Sequence, residues 1–124
     1  MTTPREIFES LLTGIGSGDW ARLHLLYAAD VTVDIPFARP EPIRIRGREQ
    51  VRQHFARAAG GAISLTPRDV RVHETDDPEV VVAEFDYEIA GIRIANIQVL
   101  RVRDGLIVES RDYHNHAAMA DVIG

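Results

Sequence analysis

The sequence predicts an α+β domain in which three N-terminal helices cover one face of a curved antiparallel sheet. Three observations carry this. Apolar residues near the N-terminus, Ile7, Phe8, Leu11, Leu12 and Ile15, recur at helical spacing. From residue 63 onward the pattern switches to period two, in long runs rich in Val and Ile. Short turn signals, Asp76-Asp77-Pro78, Ala90-Gly91 and Asp104-Gly105, separate those runs. Helices first and a meander of strands last is the α+β pattern.

Taken in order, Thr3-Pro4-Arg5-Glu6 is a capping box with Pro at the first helical position, so the first helix starts there. Gly14, Gly16 and Gly18 end it. Asp19 can cap a second helix whose inner face is Trp20, Leu23, Leu26 and Tyr27. Val31 to Phe37 alternates as a strand, residues 38–42 form a Pro-rich loop, and Ile43 to Arg46 is a short strand. Gly47 precedes a third helix with Val51, Phe55 and Ala58 on one side. The remaining strands are Ile63 to Glu74, Val80 to Ile89, Ile92 to Arg103 and Leu106 to His116.

The chain has 124 residues, one domain's worth, so residues 1–124 are expected to form a single domain. A net charge of -5 leaves no basic surplus to neutralise phosphates, which argues against nucleic acid as a partner. No apolar run reaches the ~18 residues of a membrane span, so no membrane partner is expected. The N-terminus shows no signal-peptide core, and a cytoplasmic protein is the default. With no cysteine, thiolate catalysis, disulfides and Cys-ligated metals are excluded. All 14 basic residues are Arg, so Schiff-base chemistry, which needs an amine, is excluded too.

The last strand holds the chemistry. Along Leu106 to His116 one face begins with Leu106 and Val108 and continues as Ser110, Asp112, His114 and His116. An acid and an imidazole thus point inward, which suits a pocket better than a dry core. Register refines this. A three-residue loop, Arg103-Asp104-Gly105, pairs Val102 with Leu106, Leu100 with Val108, Gln98 with Ser110 and Asn96 with Asp112. A two-residue loop at Ala90-Gly91 pairs Ile89 with Ile92, Tyr87 with Ile94, Phe85 with Asn96 and Ala83 with Gln98. The expected rows are Phe85-Asn96-Asp112, Ala83-Gln98-Ser110 and Tyr87-Ile94-His114.

Several marks carry a family resemblance. They are Gly18-Asp19-Trp20, Leu26-Tyr27-Ala28-Ala29-Asp30-Val31, Gly47-Arg48-Glu49, and Arg101 to Val108 running into Arg111-Asp112-Tyr113. On these the chain resembles the nuclear transport factor 2-like superfamily, in its SnoaL-like (polyketide cyclase-like) branch, over nearly its whole length. The resemblance implies a cone-shaped mixed or antiparallel sheet wrapped by helices (a cystatin-like α+β barrel), open at one end, and a homodimer through the outer sheet face. Comparison with ketosteroid isomerase puts Ile35 at the position of its base, Gln98 at its oxyanion Asp and Leu11 at its helix-one Tyr, so steroid isomerisation is not expected. Comparison with limonene epoxide hydrolase matches Asp112, but Glu84 and an outward Asp86 stand where its Arg-x-Asp strand would be. SnoaL-type cyclases, which rely on one inward Asp on the last strands, match best at Asp112.

The expectation is a small-molecule enzyme of isomerase, cyclase or hydratase type acting on an apolar or polyketide-like ligand. Asp112 is the candidate acid/base, with His114 assisting. Asn96, Gln98, Ser110, Phe85, Tyr87, Trp20, Phe55 and Ile35 are the candidate substrate contacts. No cofactor and no metal are expected, because His24, His54 and His73 are isolated from the pair on the last strand. A non-catalytic ligand-binding or dimerisation module and an epoxide hydrolase are the alternatives.

Overall fold

A computed structural model describes residues 2–61 and 64–123, with side chains described as far as Met119. Helix α1 (Pro4–Ser17) starts at the capping box: Thr3 Oγ1 accepts from the Glu6 amide at 3.2 Å, and Glu6 Oε1 accepts from the Thr3 amide at 3.1 Å. Gly18 closes it in the left-handed region at φ 74°, where a side chain would be strained. The segment expected as a second helix is one 3-10 turn, Leu23–Leu26. Asp19 there forms an ion pair with Arg22, and Tyr27 has already entered the first strand. Burying Tyr27, Val31, Val33 and Ile35 in the sheet overrides the helical spacing of the preceding residues.

Six strands form one mixed sheet in the order β2-β1-β6-β5-β4-β3. They are β1 (Tyr27–Ile35), β2 (Ile43–Arg46), β3 (Thr66–Glu74), β4 (Val80–Ile89), β5 (Ile92–Arg103) and β6 (Leu106–His114). The β1–β6 pair is parallel and the other pairs are antiparallel. Helix α2 (Arg48–Gly60) follows Gly47, as expected. Helix α3 (His116–Ile123) was not foreseen; Asn115 caps it, its Oδ1 accepting from the Ala118 amide at 3.2 Å. The expected last strand therefore ends two residues early, and His116 begins a helix instead. The expected start of β3 at Ile63 falls outside the described residues.

The core lies between the helices and the inner face of the sheet. Helix α1 buries Ile7, Phe8, Leu11, Leu12 and Ile15, and Phe8 meets Phe85 with ring centroids 5.5 Å apart. Irregularities in the β1–β6, β3–β4 and β5–β6 ladders accompany the curvature that leaves the sheet open rather than closed.

The β4–β5 hairpin has the expected register at all four pairs, with Ala90 and Gly91 at φ 50° and 81° in a two-residue turn. The β5–β6 hairpin does not. Its turn is also two residues, Asp104 and Gly105, at φ 53° and 75°. Arg103 pairs with Leu106 and Val102 with Ile107, and a bulge then lets Arg101 pair with Glu109. The bulge falls at Val108, so Ile107 is buried in place of Leu106 and Val108, while Ser110 keeps its expected inward position. Beyond it Leu100 faces Ser110, Gln98 faces Asp112, and Asn96 faces His114. Each partner is two residues from the expected one.

Candidate active site

The inner face of the sheet and the helices enclose an apolar cavity of about 520 Å³. Leu11, Ile15, Val33, Ile35, Ile45, Val51, Phe55 and Leu65 give it an aliphatic and aromatic wall. Asp112, Gln98, His54, Arg57, His114, His116, Tyr27 and Tyr87 supply its polar groups. Predominantly apolar walls with a few converging polar groups are the usual make-up of a small-molecule site.

Asp112 reaches this cavity from β6. Its Oδ1 accepts from Gln98 Nε2 at 2.9 Å and from Ser110 Oγ at 2.5 Å. Gln98 Nε2 also lies 3.2 Å from Ser110 Oγ, so the three groups form one network. Both hydrogen bonds to the carboxylate fall on one oxygen, and no described residue donates to Oδ2. Burial raises the carboxyl above its ordinary pKa, against the opposing pull of Ser110, Gln98 and His54.

His114 stands one pair along on the same face. Its Nδ1 lies 2.6 Å from Asn96 Oδ1. Burial, reinforced by His116, pushes it down to about 4, so it is neutral at pH 7. His54 comes from the opposite wall, on α2. Its pKa is lowered mainly by burial, while the charge of Asp112 pulls the other way. Tyr27 and Tyr87 are held protonated by burial and by Asp112. Each phenol is a donor near the carboxylate.

Of the residues expected at the site, Asp112, His114, Gln98, Tyr87, Trp20, Phe55 and Ile35 line this cavity together. Trp20, Phe55 and Tyr27 pack as an aromatic cluster, with centroids 6.1 and 6.0 Å apart. Three expected substrate contacts do not reach it. Phe85 packs between Phe8 and Tyr87 in the core. Ser110 is fully buried and touches Asp112 instead. Asn96 is buried and bonded to His114, because the two-residue register change places it across from that ring. Asp86 lies on the outer face, 3.3 Å from Arg93, as expected.

His54 and Tyr27 contribute polar groups beyond those expected at the site from the sequence. His54 falls three residues after Val51 and four before Ala58, on the apolar stripe of α2 that also carries Phe55. That stripe was the available signal. Tyr27 was masked by its assignment to a helix.

The sequence profile of the SnoaL-like domain matches residues 8–110. The chain belongs to the SnoaL-like domain family. The match stops just short of Asp112 and His114, so the candidate acid/base lies beyond it. An uncharacterized PhzA/B-like protein of Pseudomonas aeruginosa is 29% identical, the alignment covering 97% of this chain and 89% of that protein. Among solved structures, a candidate isomerase from Bacillus subtilis superposes with a TM-score of 0.84 at 25% identity, covering 96% of this chain and 91% of the other. A candidate polyketide cyclase from Xanthomonas campestris pv. campestris gives 0.79 at 20% identity, covering 98% and 96%. The SnoaL-like fold thus sits among cyclase- and isomerase-type neighbours. Among the described residues no helix is long and apolar enough to cross a membrane.

Proposed function

We propose that this SnoaL-like protein is a small-molecule enzyme using Asp112 as acid/base in an isomerisation, cyclisation or hydration of an apolar, polyketide-like ligand. The observation that carries the reading is the state of the Asp112 carboxyl. It lines an apolar cavity, one oxygen is anchored, the other is unclaimed by described residues, and burial raises its pKa toward working pH. In this reading Oδ2 takes a proton from a carbon next to a ligand carbonyl. The C–H electron pair moves onto the carbonyl oxygen as an enolate, where Tyr27 or Tyr87 donates a hydrogen bond. Returning the proton to a different carbon completes an isomerisation; attack of the enolate carbon on a second carbonyl closes a ring. His54, on the opposite wall, serves as the second proton carrier.

Asp112→Asn tests this. The variant keeps the size of the side chain and its anchoring, and loses the titrating group. The expected result is retained ligand binding with turnover lowered about 100-fold or more on an identified substrate. Full activity in the variant overturns the reading. Unchanged binding by a wild-type protein that never turns over any ligand it retains favours a non-catalytic binding module.

The expected homodimer belongs to the same proposal. The outer face of the sheet leaves Ile97 43% exposed, and Phe37, 62% exposed, meets Tyr113 edge-on at 5.5 Å beside it. A second copy of this chain is the occupant that matches the superfamily architecture.

A further inference from the structure

His114 keeps one ring nitrogen for Asn96, and that contact decides which nitrogen is left as an acceptor. The Asn96 amide nitrogen donates to Ile94 O at 2.9 Å and lies 3.5 Å from Phe85 O. Both neighbours are carbonyls, so only the NH₂ end fits there; a flipped amide would set its oxygen against two acceptors. Oδ1 is therefore the end that faces His114 Nδ1 at 2.6 Å. An amide oxygen has no proton to give, so the proton in that contact sits on Nδ1.

A neutral imidazole carries one N–H, which leaves a lone pair on Nε2. The ring stays neutral at pH 7 because burial disfavours its charged form. No described residue bonds to Nε2. The fully enclosed polar side-chain atoms without a partner, among the described residues, are His24 Nδ1 and His116 Nε2. His114 Nε2 is not one of them, and its ring lines both this cavity and a second of about 710 Å³ bordered by Phe37, Asn96 and Tyr113. The unclaimed Oδ2 of Asp112 lies on the same strand face, two residues away.

We propose that His114 Nε2, with Asp112 Oδ2 beside it, forms an acceptor subsite for an O–H or N–H group on an apolar ligand, such as an enol or phenol. Asn96 is its positioning residue, fixing the ring tautomer without touching the ligand. This rests on the cavity being the ligand site, and it narrows the ligand class to molecules that present a donor at this point. An ether or ester in its place would set lone pair against lone pair.

The test compares 2-naphthol with 2-methoxynaphthalene, which differ in the donor and little else in shape. Nitrogen-15 NMR of the native protein reads the His114 tautomer directly. The expected results are a protonated Nδ1 with bare Nε2, and naphthol binding about fivefold tighter or more, the worth of one net hydrogen bond. His114→Phe is expected to bind both probes with that preference reduced, and Asn96→Ser to show a mixed tautomer. A protonated Nε2 in the native protein, or equal affinity for the two probes (both undetectable included), overturns the subsite. Neither result depends on turnover, so it is distinct from failure of the Asp112 assignment, which Asp112→Asn kinetics read.

Discussion

Acidification is expected to destabilise this protein through His114, in a window separate from that of its surface carboxylates. An ordinary imidazole titrates near 6.5, and burial pushes His114 down to about 4. Between those values the unfolded chain binds a proton that the folded chain refuses. The stability tied to neutral His114 is therefore full above about pH 6.5 and lost as pH falls toward 4. A gap of ~2.5 pH units corresponds to about 3 kcal/mol, with a steepest slope near 1.4 kcal/mol per pH unit. His54 and His116 are lowered as well and act in the same direction. Asp112 acts oppositely: its raised pKa gives stability that is complete below its unfolded value and lost as pH rises through the folded one. Glu79, held at about 2 by Arg103 and Arg101, gives stability that is lost only as pH falls below the ordinary glutamate range. Urea unfolding at steps between pH 7.5 and 4.5 measures the slope. His114→Phe deletes one titrating group, and the orphaned Asn96 oxygen adds an offset that does not depend on pH. The slope is expected to drop by about one proton in the variant. An unchanged slope, or a His114 ring seen by NMR to titrate near 6.5, refutes the reasoning.

Two other outcomes follow from the site and the surface. Ser110→Ala removes a hydrogen bond that lowers the Asp112 pKa, so the carboxyl is expected to titrate higher. If Asp112 acts as a base, the acidic limb of the pH–rate profile moves to higher pH with it, and an unmoved limb separates the carboxyl from the rate. Ile97→Glu puts a charge into the exposed apolar part of the outer sheet face and is expected to leave a folded monomer, read by sedimentation velocity. A wild type that already sediments as a monomer removes the dimer from the proposal.

The fold was largely legible because several local signals agreed. The Thr3 and Glu6 capping pair, the apolar stripe of α1, and the Ala90-Gly91 turn each marked an element in the local sequence. Elements whose identity depends on packing were misread. Leu23 to Tyr27 has helical spacing, yet only a single 3-10 turn forms, because Tyr27 gains more by joining the sheet beside β6. The short α3 carries Met119, Val122 and Ile123 at helical spacing, a stripe of barely two turns that a continuing strand obscured, so its clearest mark was the cap at Asn115.

The site shows how one local irregularity propagates. Strict alternation makes Leu106 and Val108 the inward pair, and it favours the three-residue loop because a two-residue loop would pair inward Val102 with outward Ile107. The Asp-Gly turn instead takes its preferred two-residue form, and the bulge at Val108 absorbs the conflict by turning Ile107 inward. A bulge leaves no composition signal, so the face of Asp112 was readable while its partner was not. The difference is chemical. Opposite Asn96, Asp112 would share a neutral amide anchored on backbone carbonyls, and His114 would lose that amide as a partner. Opposite Gln98, the carboxyl joins Ser110 through one oxygen only, and Asn96 is released to hold His114 in one tautomer. The two-residue slip thus sets the hydrogen-bond partners of the two groups, while burial raises the pKa of Asp112 and lowers that of His114 on a single strand face. Both shifts favour the uncharged forms, a carboxyl that holds its proton to higher pH beside an imidazole that stays a bare acceptor.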